Sequence, residues 1–141
     1  TPAAALMARQ FAKQCDFFSI GTNDLVQYVM AADRGNAAVS ALYQPCHPAV
    51  LRLIFDVIAA GTDAGIEVSV CGDLAANTDF TEILLGMGLK KFSVPLPMVS
   101  RMKYKISGID LADAKKFAMD VLAAEDEHAV QKMIAKRRET V

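Results

Sequence analysis

Three short runs of apolar and β-branched residues, Asp16–Ile20, Glu67–Val70 and Lys91–Val94, constrain this chain more than anything else in it. Each is strand-sized, nearly all apolar, and separated from the next by helical pattern. Strands of this kind joined by helical crossovers form a parallel sheet, and such sheets are expected to be covered on both faces. The fold class is therefore α/β.

The helices read from spacing and punctuation. Pro2 to Lys13 is alanine-rich, with Leu6, Met7 and Phe11 on one face and Pro2 suited to a first turn. Asn23 is placed to cap a short helix carrying Leu25, Tyr28 and Val29, and a second short helix is expected from Asn36 to Tyr43. Pro48 opens a strong helix with Val50, Ile54, Val57 and Ile58 on one side, ending around Gly61 to Gly65. Further helices are expected at Asp79–Met87, Met98–Ile106, Asp110–Leu122 and about Glu125 to Arg138. Asp110-Leu-Ala-Asp113 resembles a capping box, with Ala114, Phe117, Ala118, Val121 and Leu122 facing inward. Three strands cannot close a barrel, so if they belong to one, most of it lies outside these 141 residues.

The bulk numbers exclude several classes. The chain has the length of one domain, 53% hydrophobic residues and a net charge of −1, which is globular and argues against a nucleic-acid or anionic-membrane partner. The one basic cluster, Lys136-Arg137-Arg138, is expected to answer the dipole of the last helix. No apolar run is long enough to cross a bilayer, and the start, Thr1-Pro2-Ala3, lacks a basic leader. The opening in mid-pattern without Met reads as a piece of a longer chain. Cys15, Cys46 and Cys71 form no CxxC pair and no even framework; reduced thiols in the cytoplasm are the simplest reading.

Polar groups gather just after the strands: Asn23 and Asp24 after the first, Cys71 and Asp73 after the second, with Ser93 in the third. In parallel α/β folds that end of the sheet is where sites are built. Asp24 is suited to magnesium, which takes one or two carboxylates and fills its octahedron with other oxygens; it is equally suited to a helix N-terminus. Arg34, in the turn Asp33-Arg34-Gly35-Asn36, carries a planar fork that matches phosphate, or a neighbouring aspartate. Cys71 could be nucleophile, proton donor or inert core thiol. Cys15 reads as filler, His47 as the entry residue of the Pro48 helix, and His128 as solvated. No Walker loop, GxGxxG or zinc spacing is present.

Four segments taken together resemble one family: Phe17-Phe18-Ser19-Ile20-Gly21-Thr22-Asn23-Asp24-Leu25-Val26-Gln27-Tyr28, Ala32-Asp33-Arg34-Gly35-Asn36, His47-Pro48-Ala49-Val50-Leu51-Arg52-Leu53-Ile54 and Val70-Cys71-Gly72-Asp73-Leu74-Ala75. They are similar to the phosphoenolpyruvate-binding C-terminal domain of Enzyme I, the phosphoenolpyruvate–protein phosphotransferase of the bacterial sugar phosphotransferase system. The resemblance runs from Thr1 to the end, in order, and is densest through Leu74. It implies strands six to eight of a (β/α)8 TIM barrel, a homodimer and a cytoplasmic protein. It implies that Asp24 is a magnesium (Mg2+) ligand whose glutamate partner would lie just before Thr1. Asn23 and Arg34 would hold the phosphate of phosphoenolpyruvate, and Cys71 would protonate the enolate carbon to give pyruvate. The phosphoryl group would pass to a histidine on a separate N-terminal domain and on to the carrier HPr; neither His47 nor His128 matches that histidine. The 1–141 piece alone would then be inactive.

Within the resemblance, Asp73 stands where Glu is usual, Ala76-Asn77 replaces Gly-Asp, and Pro95, Leu96 and Pro97 follow the last strand where small and polar residues are commoner. Pyruvate phosphate dikinase and phosphoenolpyruvate synthase share the Phe-Phe-Ser, Asn-Asp-Leu and Cys-Gly elements and form one alternative. A non-catalytic dimerising or regulatory module is another, and a Cys71–His47 hydrolase a distant third.

Overall fold

The computed structural model describes residues 1–140, with side chains through 138. Its sheet has three parallel strands, β1 (Phe17–Gly21), β2 (Glu67–Cys71) and β3 (Lys91–Phe92), ordered as they occur in the chain. Phe18 lies opposite Val68, and Ile20 opposite Val70, which lies opposite Phe92. Pairing extends one residue past β3, where Ser93 N–H donates to the Val70 carbonyl at 2.9 Å.

The helices are α1 (Pro2–Leu6), α2 (Ala8–Phe11), α3 (Thr22–Met30), α4 (Pro48–Asp63), α5 (Asp73–Ala76), α6 (Thr78–Gly86), α7 (Val99–Ser107), α8 (Leu111–Leu122) and α9 (Glu127–Thr140). Short 3-10 turns sit at Ser40–Leu42 and Leu96–Met98. Asp110 caps α8 as expected, its Oδ1 accepting from the N–H groups of Ala112 and Asp113 at 2.8 and 3.0 Å. His47 is the entry residue of α4, and its Nδ1 accepts from Ala49 N–H at 3.2 Å.

The expectation that both sheet faces are covered is corrected. Side chains alternate along a strand, and here the alternation separates two environments. Ile20, Val68 and Val70 are buried under α4, with Phe18 and Phe92 packed against the same cluster. Gly61 permits that approach, since a Cβ there would stand 2.2 Å from Val68 Cγ2. On the other face Phe17, Ser19, Glu67 and Lys91 are exposed, and Ser69 and Cys71 half-buried. Two hydroxyls, a thiol and the Glu67–Lys91 ion pair make this face mainly polar, with Phe17 the exposed apolar side chain on it.

Other boundaries moved. The helix expected over Pro2–Lys13 breaks at Met7, whose backbone (φ −98°, ψ 11°) leaves the helical region. The helix expected over Asn36–Tyr43 is only the 3-10 turn. Asn23 does not cap α3; it lies inside the first turn, after Gly21, and its side chain is used elsewhere. The Lys136-Arg137-Arg138 cluster does more than answer a dipole. Arg137 grips the buried carboxylate of Glu82 with Nε at 3.0 and 3.1 Å from its two oxygens, and Arg138 pairs with Asp79, so α9 is pinned to α6. On its other side α6 packs closely on α8, where Gly86 lies against Ala114 and Ala118.

Candidate phosphate and proton-donor site

The site is built where β1 and β2 end side by side, because Gly21 lies opposite Cys71 in register. Two bonds weld the turns that follow. Thr22, fully buried, donates from Oγ1 to the Cys71 carbonyl at 2.8 Å. The Asp73 N–H donates to Asn23 Oδ1 at 2.9 Å. Gly72 makes the second bond reachable: its φ of +89° is one that L side chains rarely adopt, and a Cβ there would stand 2.5 Å from Thr22 Oγ1 and 2.8 Å from Asn23 Oδ1.

This arrangement orients Asn23. Its amide oxygen serves Asp73, which leaves the Nδ2 donors for another acceptor. Arg34 arrives from the loop after α3. The expected pairing with a neighbouring aspartate is not the one found. Asp33 instead accepts from Gly35 N–H at 2.8 Å, closing the turn, and Arg34 Nη1 reaches across the site to Asp73 Oδ2, also at 2.8 Å. Both partners are largely exposed, so the guanidinium is held but not sealed from a competing anion.

Asp24 lies in the first turn of α3, exposed, and in none of the ion pairs found among the described residues. Tyr43 defines the back of the cluster. Its hydroxyl donates to the Asn23 carbonyl at 3.3 Å, and its pKa is raised by burial, lowered in part by Arg34 and raised by Asp73 and Asp24. Those charges converge on one small region.

Cys71 lies on the uncovered sheet face. Its Sγ–H donates to the Ile20 carbonyl at 3.5 Å, and Ser19 Oγ lies 4.0 Å from the sulfur in a weak donor contact. The thiol therefore donates to a backbone carbonyl on the uncovered sheet face. Cys71 has no bond to His47, whose acceptor nitrogen is committed to the α4 cap, so the hydrolase pairing has no support.

A hard exposed carboxylate such as Asp24 fits one corner of a magnesium octahedron. Among the described residues no cluster of three or more His, Cys, Asp or Glu side chains could hold an ion by itself. Of the residues singled out from sequence, Asn23, Arg34 and Cys71 are linked through Asp73 and the Gly72 turn. Sequence reasoning passed over Thr22, Tyr43 and Ser19 as site residues, and placed Asp73 among the strand-end polar groups without a role. The signal for Thr22 was present: a β-branched hydroxyl between a strand-end glycine and two polar residues.

The chain is 46% identical over 134 residues to a phosphoenolpyruvate-protein phosphotransferase of Haloferax volcanii, covering 95% of this chain and 24% of the relative. It is 46% identical over 138 residues to the protein of that name in Haemophilus influenzae, covering 95% and 24%. The corresponding Bacillus subtilis protein is 48% identical over 122 residues, covering 86% and 21%. The chain thus spans about a quarter of the length of the curated relatives it matches. Residues 1–111 match the family model described as PEP-utilising enzyme, PEP-binding domain, and the chain belongs to that family.

Proposed function

We propose that this chain forms the phosphate-binding and proton-donating part of a phosphoenolpyruvate–protein phosphotransferase. The observation that carries it is the convergence of Asn23, Arg34 and Cys71 at adjoining strand ends, linked through Asp73, in a chain of the PEP-binding family. Consecutive parallel strands with helices on one face and polar side chains on the other are what three neighbouring strands of a (β/α)8 barrel would present. The uncovered face would then be barrel interior.

The chemistry follows from the groups present. Phosphoryl transfer asks for positioning and charge neutralisation rather than covalent help. Asn23 Nδ2 donates to a phosphate oxygen, and Arg34 turns its fork from Asp73 to the phosphate. Magnesium, when bound at Asp24, would neutralise further phosphate charge. The bond between phosphorus and the enol oxygen breaks, the phosphoryl group goes to an acceptor histidine, and the enolate keeps the electron pair. Cys71 Sγ gives its proton to the terminal carbon, which yields pyruvate and a thiolate that regains a proton from water. The acceptor histidine is assigned to a separate N-terminal domain, which passes the phosphoryl group to the partner protein HPr, in a cytoplasmic homodimer that serves sugar uptake. Because the acceptor histidine is assigned to a separate domain, residues 1–141 are expected to be inactive alone.

The test is a chimera of the Bacillus subtilis relative in which this chain replaces the matched quarter. The expected result is phosphoenolpyruvate-dependent phosphorylation of HPr with release of pyruvate. Cys71→Ala should lose pyruvate release by at least about two orders of magnitude, while phosphoenolpyruvate binding stays. A folded chimera that transfers no phosphoryl group from phosphoenolpyruvate would refute the reading.

A further inference from the structure

Among the described residues, Asp73 is hydrogen-bonded to both groups assigned to the phosphate. Its backbone N–H holds Asn23 Oδ1 at 2.9 Å, and its carboxylate holds Arg34 Nη1 at 2.8 Å. It stands two residues from the Cys71 thiol, across a glycine whose conformation admits no side chain without strain. We infer that Asp73 is a positioning residue that acts as a placeholder for the phosphate: its carboxylate keeps the Arg34 fork aimed into the site and yields it when a phosphate monoester arrives. This inference rests on the proposed phosphate role of Asn23 and Arg34.

The two bonds differ in what they can do. The bond to Asn23 uses backbone N–H, so it survives any side chain at 73 and fixes the amide permanently. The bond to Arg34 uses a side chain 71% exposed against one 51% exposed. An exposed ion pair holds geometry at small net gain, which suits a contact that must be exchanged in every binding event. A doubly charged phosphate offers the fork two oxygens, where Asp73 gives Nη1 one, and bidentate charge-assisted pairing is stronger. The exchange has a cost. The displaced carboxylate remains close to the incoming anion and repels it, so Asp73 weakens ground-state binding. A placeholder thus trades affinity for an arginine that never folds away.

The measurement is titration of the full 141-residue chain with phosphoenolpyruvate in the presence of magnesium, followed by 15N NMR at Asn23 Nδ2, Arg34 Nε and the Asp73 amide. Inorganic phosphate is run in parallel. Asp73→Asn removes the competing charge and keeps shape and backbone, and is expected to tighten both ligands about two- to fivefold. Asp73→Ser provides a second neutral variant should Asn disturb the turn. Asp73→Glu retains the charge and should bind no tighter than the parent. In an Arg34→Ala background, where initial slopes of the shifts suffice, the gain from Asp73→Asn should shrink to what relief of charge repulsion alone supplies, which a merely structural role for Asp73 would not produce. Binding unchanged or weakened in both neutral variants, or a gain undiminished without Arg34, overturns the placeholder and leaves the phosphate site standing. If neither ligand moves the Asn23 and Arg34 signals in any variant, the reading of the site itself fails, and the placeholder with it.

Discussion

The buried hydroxyl of Thr22 donates to the carbonyl of Cys71 at 2.8 Å, so the first residue of α3 is bonded to the last residue of β2. That bond ties the two turns of the site at their base. Thr22→Val is nearly isosteric and leaves the carbonyl without its donor. The expected cost is about 1–2 kcal/mol, read from urea unfolding, and the two turns should loosen together. Thr22→Ser keeps the hydroxyl and should retain the turn geometry.

Gly72 is the second fixed point. A side chain at φ +89° is strained, and its Cβ would strike Thr22 Oγ1 and Asn23 Oδ1. Gly72→Ala should destabilise by about 1–3 kcal/mol. Because the displaced atoms are those of the site, phosphoenolpyruvate binding should fall by more than the stability loss accounts for. An Ala variant with parental binding would show that the Asp73–Asn23 bond is dispensable.

Much of this site was readable from local pattern. A strand ending in Gly21-Thr22-Asn23-Asp24 and another ending in Cys71-Gly72-Asp73 announce polar groups at strand ends, because apolar runs and turn residues are local signals. The covered and uncovered sheet faces were also encoded, in the alternation of Val68 and Val70 with Ser69 and Cys71, although overall apolarity hid it. What local pattern could not supply were pairings across the fold. Arg34 finds Asp73 39 positions away, and Arg137 finds Glu82 55 positions away. Such partners are selected by packing of whole elements, and no spacing rule along one helix predicts them. Asn23 shows the converse. Its residue type suits a helix cap, but the register of β1 and β2 put a more useful donor, the Asp73 N–H, within its reach.

The Arg137–Glu82 pair makes a stability prediction far from the site. Glu82 is 5% exposed and receives three hydrogen bonds from one guanidinium, which also lies 5.5 Å from the centre of the Phe117 ring. Bonding to Glu82 raises the Arg137 pKa, with burial opposing. Arg137→Met would strand a buried carboxylate and should cost about 2–4 kcal/mol by urea unfolding. Adding Glu82→Gln should recover more than half of that loss, since a neutral amide tolerates the interior. Full additivity of the two changes would show that the pair is not coupled.

The thiols carry a pH prediction. Burial raises the pKa of Cys46, and the hydrogen bond from Gln131, Nε2 to Sγ at 3.6 Å, lowers it in smaller part. The folded state therefore holds the Cys46 proton more tightly than the unfolded chain does. The stability this contributes is fully present below the ordinary thiol range, and is lost as pH rises through that range toward the higher folded value. Unfolding free energy measured from about pH 7 to about pH 10 should decline on the alkaline side, and Cys46→Ala should flatten part of that decline. Tyr43, raised chiefly by burial, adds a decline of the same sign at higher pH. Iodoacetamide labelling gives an independent reading: exposed Cys15 should react first and buried Cys46 last, with half-buried Cys71 between them. Rapid alkylation of Cys46 in the folded chain would contradict both its burial and the raised pKa.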